Sequence, residues 1–102
     1  MYGLIVKVMV ISGLREQFID LLRESAAGMP GCLSYVVSRD ASDENAIWVT
    51  EVWNNAHSHE ASLLLPRVQE VIPRAKAIVT SFERVAVTEP VWGAGLEPSD
   101  PG

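Results

Sequence analysis

Cys32-Leu33-Ser34-Tyr35-Val36-Val37-Ser38-Arg39 and, after six intervening residues, Ala46-Ile47-Trp48-Val49-Thr50-Glu51-Val52-Trp53 decide the fold. Both runs are rich in β-branched and aromatic residues. In the first, Leu33, Tyr35 and Val37 fall on one face by alternation and Cys32, Ser34, Val36 and Ser38 on the other. The link Asp40-Ala41-Ser42-Asp43-Glu44-Asn45 is polar and turn-forming. Two adjacent strands joined this way make a β-hairpin.

Upstream, Met29-Pro30-Gly31 supplies a turn, and before it Leu14, Phe18, Leu21 and Leu22 recur at the spacing of one helix face. Ser12 and Gly13 offer the cap of this helix, Glu16 sits in its first turn, and it ends near Gly28. Residues 2–11 are aliphatic and β-branched, broken by Lys7, and read as a first strand covered on both faces for most of its length. Downstream, Asn54 and Asn55 can cap a second helix running to about Leu65. Pro66 then opens a new helical piece carrying Val68, Val71, Ile72 and Ala75, which Pro73 is expected to disturb locally. Residues 78–87 alternate as a fourth strand.

The order is βαββαβ, the α+β ferredoxin-like pattern, and right-handed crossovers place both helices on one face of a four-stranded antiparallel sheet. Apolar residues on both faces of all four strands leave the other face in want of cover. A second copy, giving a homodimeric α/β barrel, satisfies that need. A chain of 102 residues is one domain. Residues 1–88 form it, and 89–102 are a Pro/Gly-rich tail that reads either as an arm laid over the partner, which Val91, Trp92 and Leu96 suit, or as a frayed terminus.

A net charge of −5 with scattered Lys and Arg disfavours nucleic acid. No apolar run is long enough to span a membrane, and the N-terminus lacks the pattern of a secretory signal, so a cytoplasmic location is expected. The lone Cys32 has no disulfide partner within the chain and reads as a small buried hydrophobe. His57 and His59 diverge on a helix and cannot share one metal through that turn. His59 lies at the border of the apolar stripe with Ser62 three residues on, although Glu60 projects close to the same sector. A histidine that merely satisfies a nearby polar group, and a Glu51 engaged in an ion pair, are the plain readings of these residues.

Met29-Pro30-Gly31-Cys32-Leu33-Ser34-Tyr35, then Glu51-Val52-Trp53-Asn54, then His59-Glu60-Ala61-Ser62-Leu63 resemble the antibiotic biosynthesis monooxygenase family, including its quinol monooxygenase-like members. The resemblance spans residues 2–88 and implies the same dimeric barrel. It implies oxygenation of an electron-rich aromatic, quinol or polyketide-like, by dioxygen without metal, flavin or haem. On that likeness His59 is the candidate base. Tyr35, Glu51 and Ser62 are candidate orienting groups, and Trp48, Trp53 and Phe82 candidate walls. Many relatives carry a histidine where this chain has Ser62. The haem-degrading branch of the fold uses a histidine near the position of Ile72, which cannot ligate iron. The competing class is a dimer of this fold that binds a small molecule, or serves structure, without chemistry.

Overall fold

In the computed structural model, which describes residues 1–96, the elements are β1 (Tyr2–Val10), α1 (Arg15–Ala26), β2 (Cys32–Arg39), β3 (Ala46–Trp53), α2 (Ala56–Ser62), α3 (Pro66–Lys76) and β4 (Val79–Thr88). The strands form one antiparallel sheet in the order β2-β3-β1-β4, the ferredoxin-like arrangement. Each βαβ crossover therefore skips one strand, which fills the gap from the other unit.

Leu4, Val6, Val8 and Val10 of β1 and Ile47 and Val49 of β3 are buried on one face of the sheet, against Phe18, Ile19 and Leu21 of α1 and Val71 of α3. Burying these side chains supplies about 1.5–3 kcal/mol each and is the main force holding helices to sheet. The opposite face carries Ile5, Val36, Val52 and Ala86 interleaved with Lys7, Ser34, Thr50 and Glu83, as the strand pairings require. No helix among the described residues covers it; Val36 is 50% exposed.

Three local features depart from the sequence-based expectation. Ser12 does not cap α1: Gly13 takes a left-handed turn at φ 85°, Leu14 N–H bonds the Ile11 carbonyl, and the helix begins with no side-chain cap. Pro73 does not break α3, because it lies exposed in the last full turn, where only the bond it would have donated is forfeited. Cys32 does not share a face with Ser34, since a bulge between them carries Cys32 round to pair with Trp53 while Tyr35 pairs with Glu51.

The division of the second helical region is as expected. Asn55 caps α2 by accepting from Ser58 N–H at 2.8 Å. Leu63, Leu64 and Leu65 then make tightened three-residue bonds before Pro66 starts α3. After β4 the chain forms no further regular element through Leu96; Val91 and Trp92 are 92% and 83% exposed. The rest of the tail, residues 97–102, lies outside the described residues.

Candidate active site

A cavity of about 400 Å³ lies between the helices and the covered face of the sheet. Phe18, Leu22 and Met29 close one side, α3 another, and Tyr35, Glu51 and Trp53 form the floor. Glu51 and Trp53 are two apart on β3, so the pleat turns both side chains into the cavity, and Tyr35 joins them from the neighbouring strand.

His59 completes this end. Its ring stands edge-on to Trp53 at 5.4 Å and tilted against Tyr2 at 5.9 Å. Its Nε2 lies 3.9 Å from Glu51 Oε1, and the two side chains are only 12% and 11% exposed. Trp53 Nε1 donates to that same Glu51 oxygen at 3.0 Å and so fixes the carboxyl. Packing thus resolves the helical-wheel ambiguity: His59 faces in, whereas Glu60 and His57 are exposed.

Burial pushes the Glu51 carboxyl above its ordinary range; the Trp53 hydrogen bond and the charges of His59 and Arg84 pull the other way without cancelling it. Burial, then the Glu51 carboxylate and then Cys32, hold the Tyr35 hydroxyl far above the usual range for a phenol. Tyr35 is therefore a hydrogen-bond donor at any working pH. Cys32 is likewise shifted upward, chiefly by burial and then by Glu51, which leaves little thiolate.

Of the residues singled out in the sequence, Tyr35, Glu51, Trp53, His59, Ser62 and Phe82 all line this cavity. Ser62 is buried, and its hydroxyl donates to the His59 carbonyl at 2.6 Å, so it braces the turn of α2 rather than the imidazole. Trp48 is not with them. Its place in β3 turns it to the opposite face of the sheet, where Nε1 donates to Asp40 Oδ2 at 2.7 Å and Lys7 Nζ sits 5.4 Å from the ring centre. Tyr2, which packs against His59, and Lys76, which lines the cavity, went unnoticed in the sequence, because only the strand register and the course of α3 bring them here. Ile72 is a wall of the cavity. Among the described residues, no three His, Cys, Asp or Glu side chains gather as metal ligands do, and no helix is long and apolar enough to cross a membrane.

An imidazole and a carboxyl that are both largely buried at the end of an apolar cavity can exchange a proton with a bound hydroxyl and stabilise the charge that results. The model of the antibiotic biosynthesis monooxygenase family matches residues 1–74. The chain belongs to that family. A candidate antibiotic biosynthesis monooxygenase from Chloroflexus aurantiacus is 46% identical, with 94% of this chain and 98% of that one covered and a TM-score of 0.90. Another from Deinococcus radiodurans is 26% identical over 91% and 95% of the two chains, at a TM-score of 0.76. SnoaB, a cofactor-independent oxygenase from Streptomyces nogalater, shares the fold at a TM-score of 0.74 and 16% identity, covering 90% of this chain and 94% of its own. No curated protein matches the chain. The family's fold thus frames the cavity that holds His59 and Glu51.

Proposed function

We propose that this member of the antibiotic biosynthesis monooxygenase family is a cofactor-independent monooxygenase that oxidises an electron-rich hydroxyaromatic with dioxygen. The observation that carries this is the His59–Glu51 pair, 3.9 Å apart and nearly excluded from water at the end of an apolar cavity. His59 accepts the substrate's acidic proton, and Glu51, held by Trp53, faces the imidazolium that forms. The aromatic anion is itself the reductant: it passes an electron to dioxygen, and the two radicals combine at a ring carbon to give a peroxide. His59 returns its proton to the peroxide; loss of water then leaves a carbonyl. Where a ring methylene becomes a carbonyl, one oxygen atom enters the substrate and the other leaves as water, so atoms and electrons balance with no further reductant. The likeness of fold to a cofactor-independent oxygenase is consistent with this chemistry.

The working unit in this proposal is a homodimer in the cytoplasm, formed through the sheet face that no helix covers, with the tail from Glu89 onward as an arm on the partner. Exposed Val91 and Trp92 support that role, since a solvated tail needs neither. Oxygen-electrode measurements with a panel of hydroquinones and anthrones test the activity. Uptake matched by an equal amount of oxygenated product supports it. No uptake above the spontaneous rate on substrates shown to bind would leave a binding protein without chemistry.

A further inference from the structure

Glu51 and His59 are set as an acid beside a base. Their closest atoms, Glu51 Oε1 and His59 Nε2, are 3.9 Å apart. That is too long for a hydrogen bond, so neither group spends its proton or lone pair on the other. Trp53 Nε1–H occupies Oε1 at 3.0 Å. A protonated Glu51 therefore carries its proton on Oε2, where it is free to be given away. Burial favours that protonated form. The imidazole is steadied by the rings of Trp53 and Tyr2, whose centroids are 5.4 and 5.9 Å from its own.

A gap of this size suits a carbonyl group and the carbon beside it. From standard bond lengths, the oxygen and the α-carbon of a ketone lie about 2.4 Å apart. A ketone set across the pair can receive the Glu51 proton on its oxygen while His59 Nε2 reaches the α C–H bond. A base alone would not suffice, because that C–H bond is far less acidic than a phenol. The walls here include Phe18, Leu22, Val68, Val71 and Ile72, among which a bare enolate would be costly. Donation to the oxygen as the C–H bond breaks leaves a neutral enol instead.

We infer that the His59–Glu51 site is also a keto–enol tautomerase for enolisable ketones, an activity that needs no dioxygen. The α C–H bond breaks and its proton goes to His59 Nε2, while its electron pair forms the C=C bond. The carbonyl π pair moves to oxygen, which takes the proton from Glu51. The imidazolium and carboxylate left behind face each other across 3.9 Å, and proton return between them restores both groups. No oxidant or reductant is consumed. This activity uses the same side chains as the oxygenase proposed above but does not depend on that reading. The competing explanation is that Glu51 only holds Trp53 and steadies the imidazole, in which case its proton is irrelevant.

Deuterium exchange of α-tetralone in heavy water under argon, followed by proton NMR of the two hydrogens beside its carbonyl, measures this activity apart from oxygenation. The intact wild-type protein should speed the exchange in proportion to its concentration, since both groups regain deuterons from solvent between turnovers. His59→Gln and Glu51→Gln should each cut the protein-dependent rate about a hundredfold, the scale of one positioned acid or base. Gln at position 51 keeps an oxygen for Trp53 Nε1–H, so a purely structural role would leave the rate intact. His57→Ala, exposed on α2, should match the wild type. Circular dichroism checks that the variants fold, and Glu51→Gln decides alone if His59→Gln does not. No acceleration by the wild type, or a rate that survives either substitution, overturns the inference. Exchange without oxygen uptake on hydroquinones or anthrones would uphold it and refute the oxygenase reading alone; uptake without exchange would do the reverse.

Discussion

Glu51→Gln should make the protein more stable at neutral and alkaline pH. Burial raises the Glu51 carboxyl above its ordinary 4.5, so the folded state holds the proton more tightly than the unfolded chain does. Stability from this group is complete below pH 4.5 and is lost as pH rises through the raised value, because beyond it the fold must contain an anion in an apolar cavity. Gln keeps an oxygen for Trp53 Nε1–H and removes only the charge. Relieving one unfavourable feature of a fold by a single substitution typically gains about 1 kcal/mol. For a domain of this size that corresponds to about 4–8 °C in melting temperature. Circular-dichroism melts of wild type and variant at pH 8 and pH 4, at one fixed protein concentration, measure it. The variant should melt higher at pH 8, the two should converge at pH 4, and oxygenase turnover should fall in the variant. A variant that melts at or below the wild type at pH 8 refutes the reasoning. It would mean that the charges of His59 and Arg84 outweigh burial and that Glu51 is a stabilising anion.

Three further outcomes are expected. His59→Ala should cut oxygen consumption about a hundredfold, whereas His57→Ala, exposed on the other side of α2, should leave it unchanged; equal activity in both variants would place the base elsewhere. Light scattering at low micromolar concentration should give about twice the chain mass, and a stable monomer would remove the case for a barrel. Gly31→Ala should destabilise by about 2 kcal/mol or more, measured by denaturant titration. Its φ of 80° disfavours a side chain, and a Cβ would lie 2.6 Å from Ser58 Oγ and 2.8 Å from Asn54 Oδ1 at the start of α2.

The fold was legible because its signals are local and agree with one another. The hairpin over β2 and β3 rests on two β-rich runs and a polar link, and the split between α2 and α3 rests on Asn55 and Pro66, each of which acts within a turn of itself. The local misreadings are tertiary in origin. Ser12 has the chemistry of a cap, but the left-handed Gly13 directs the chain past it. Alternation puts Cys32 opposite Tyr35, and only the pairing with β3 exposes the bulge that brings them to one face.

The candidate site was legible one strand at a time. Period-two alternation already puts Glu51 and Trp53 on one face, and that is why the indole can hold the carboxyl. The same rule sends Trp48 to the other face, yet its aromatic character alone suggested a cavity wall; type without parity misleads. For His59 the helical wheel leaves Glu60 as a rival, and the choice depends on Tyr2, 5.9 Å away at the far end of the chain's first strand. Tyr2 reaches it because β1 pairs Tyr2 with Trp53, a register that no local pattern specifies. Lys76 is hidden for a similar reason: one cation at a helix C-terminus is ordinary, and only the course of α3 places it on the cavity wall. The residues around the candidate site come from β1, β2, β3, α2 and α3, so the long-range pairings that make the sheet also assemble it. A substitution that slips the β1–β3 register should therefore part His59 from Tyr2 while leaving every lining side chain of the cavity in the sequence.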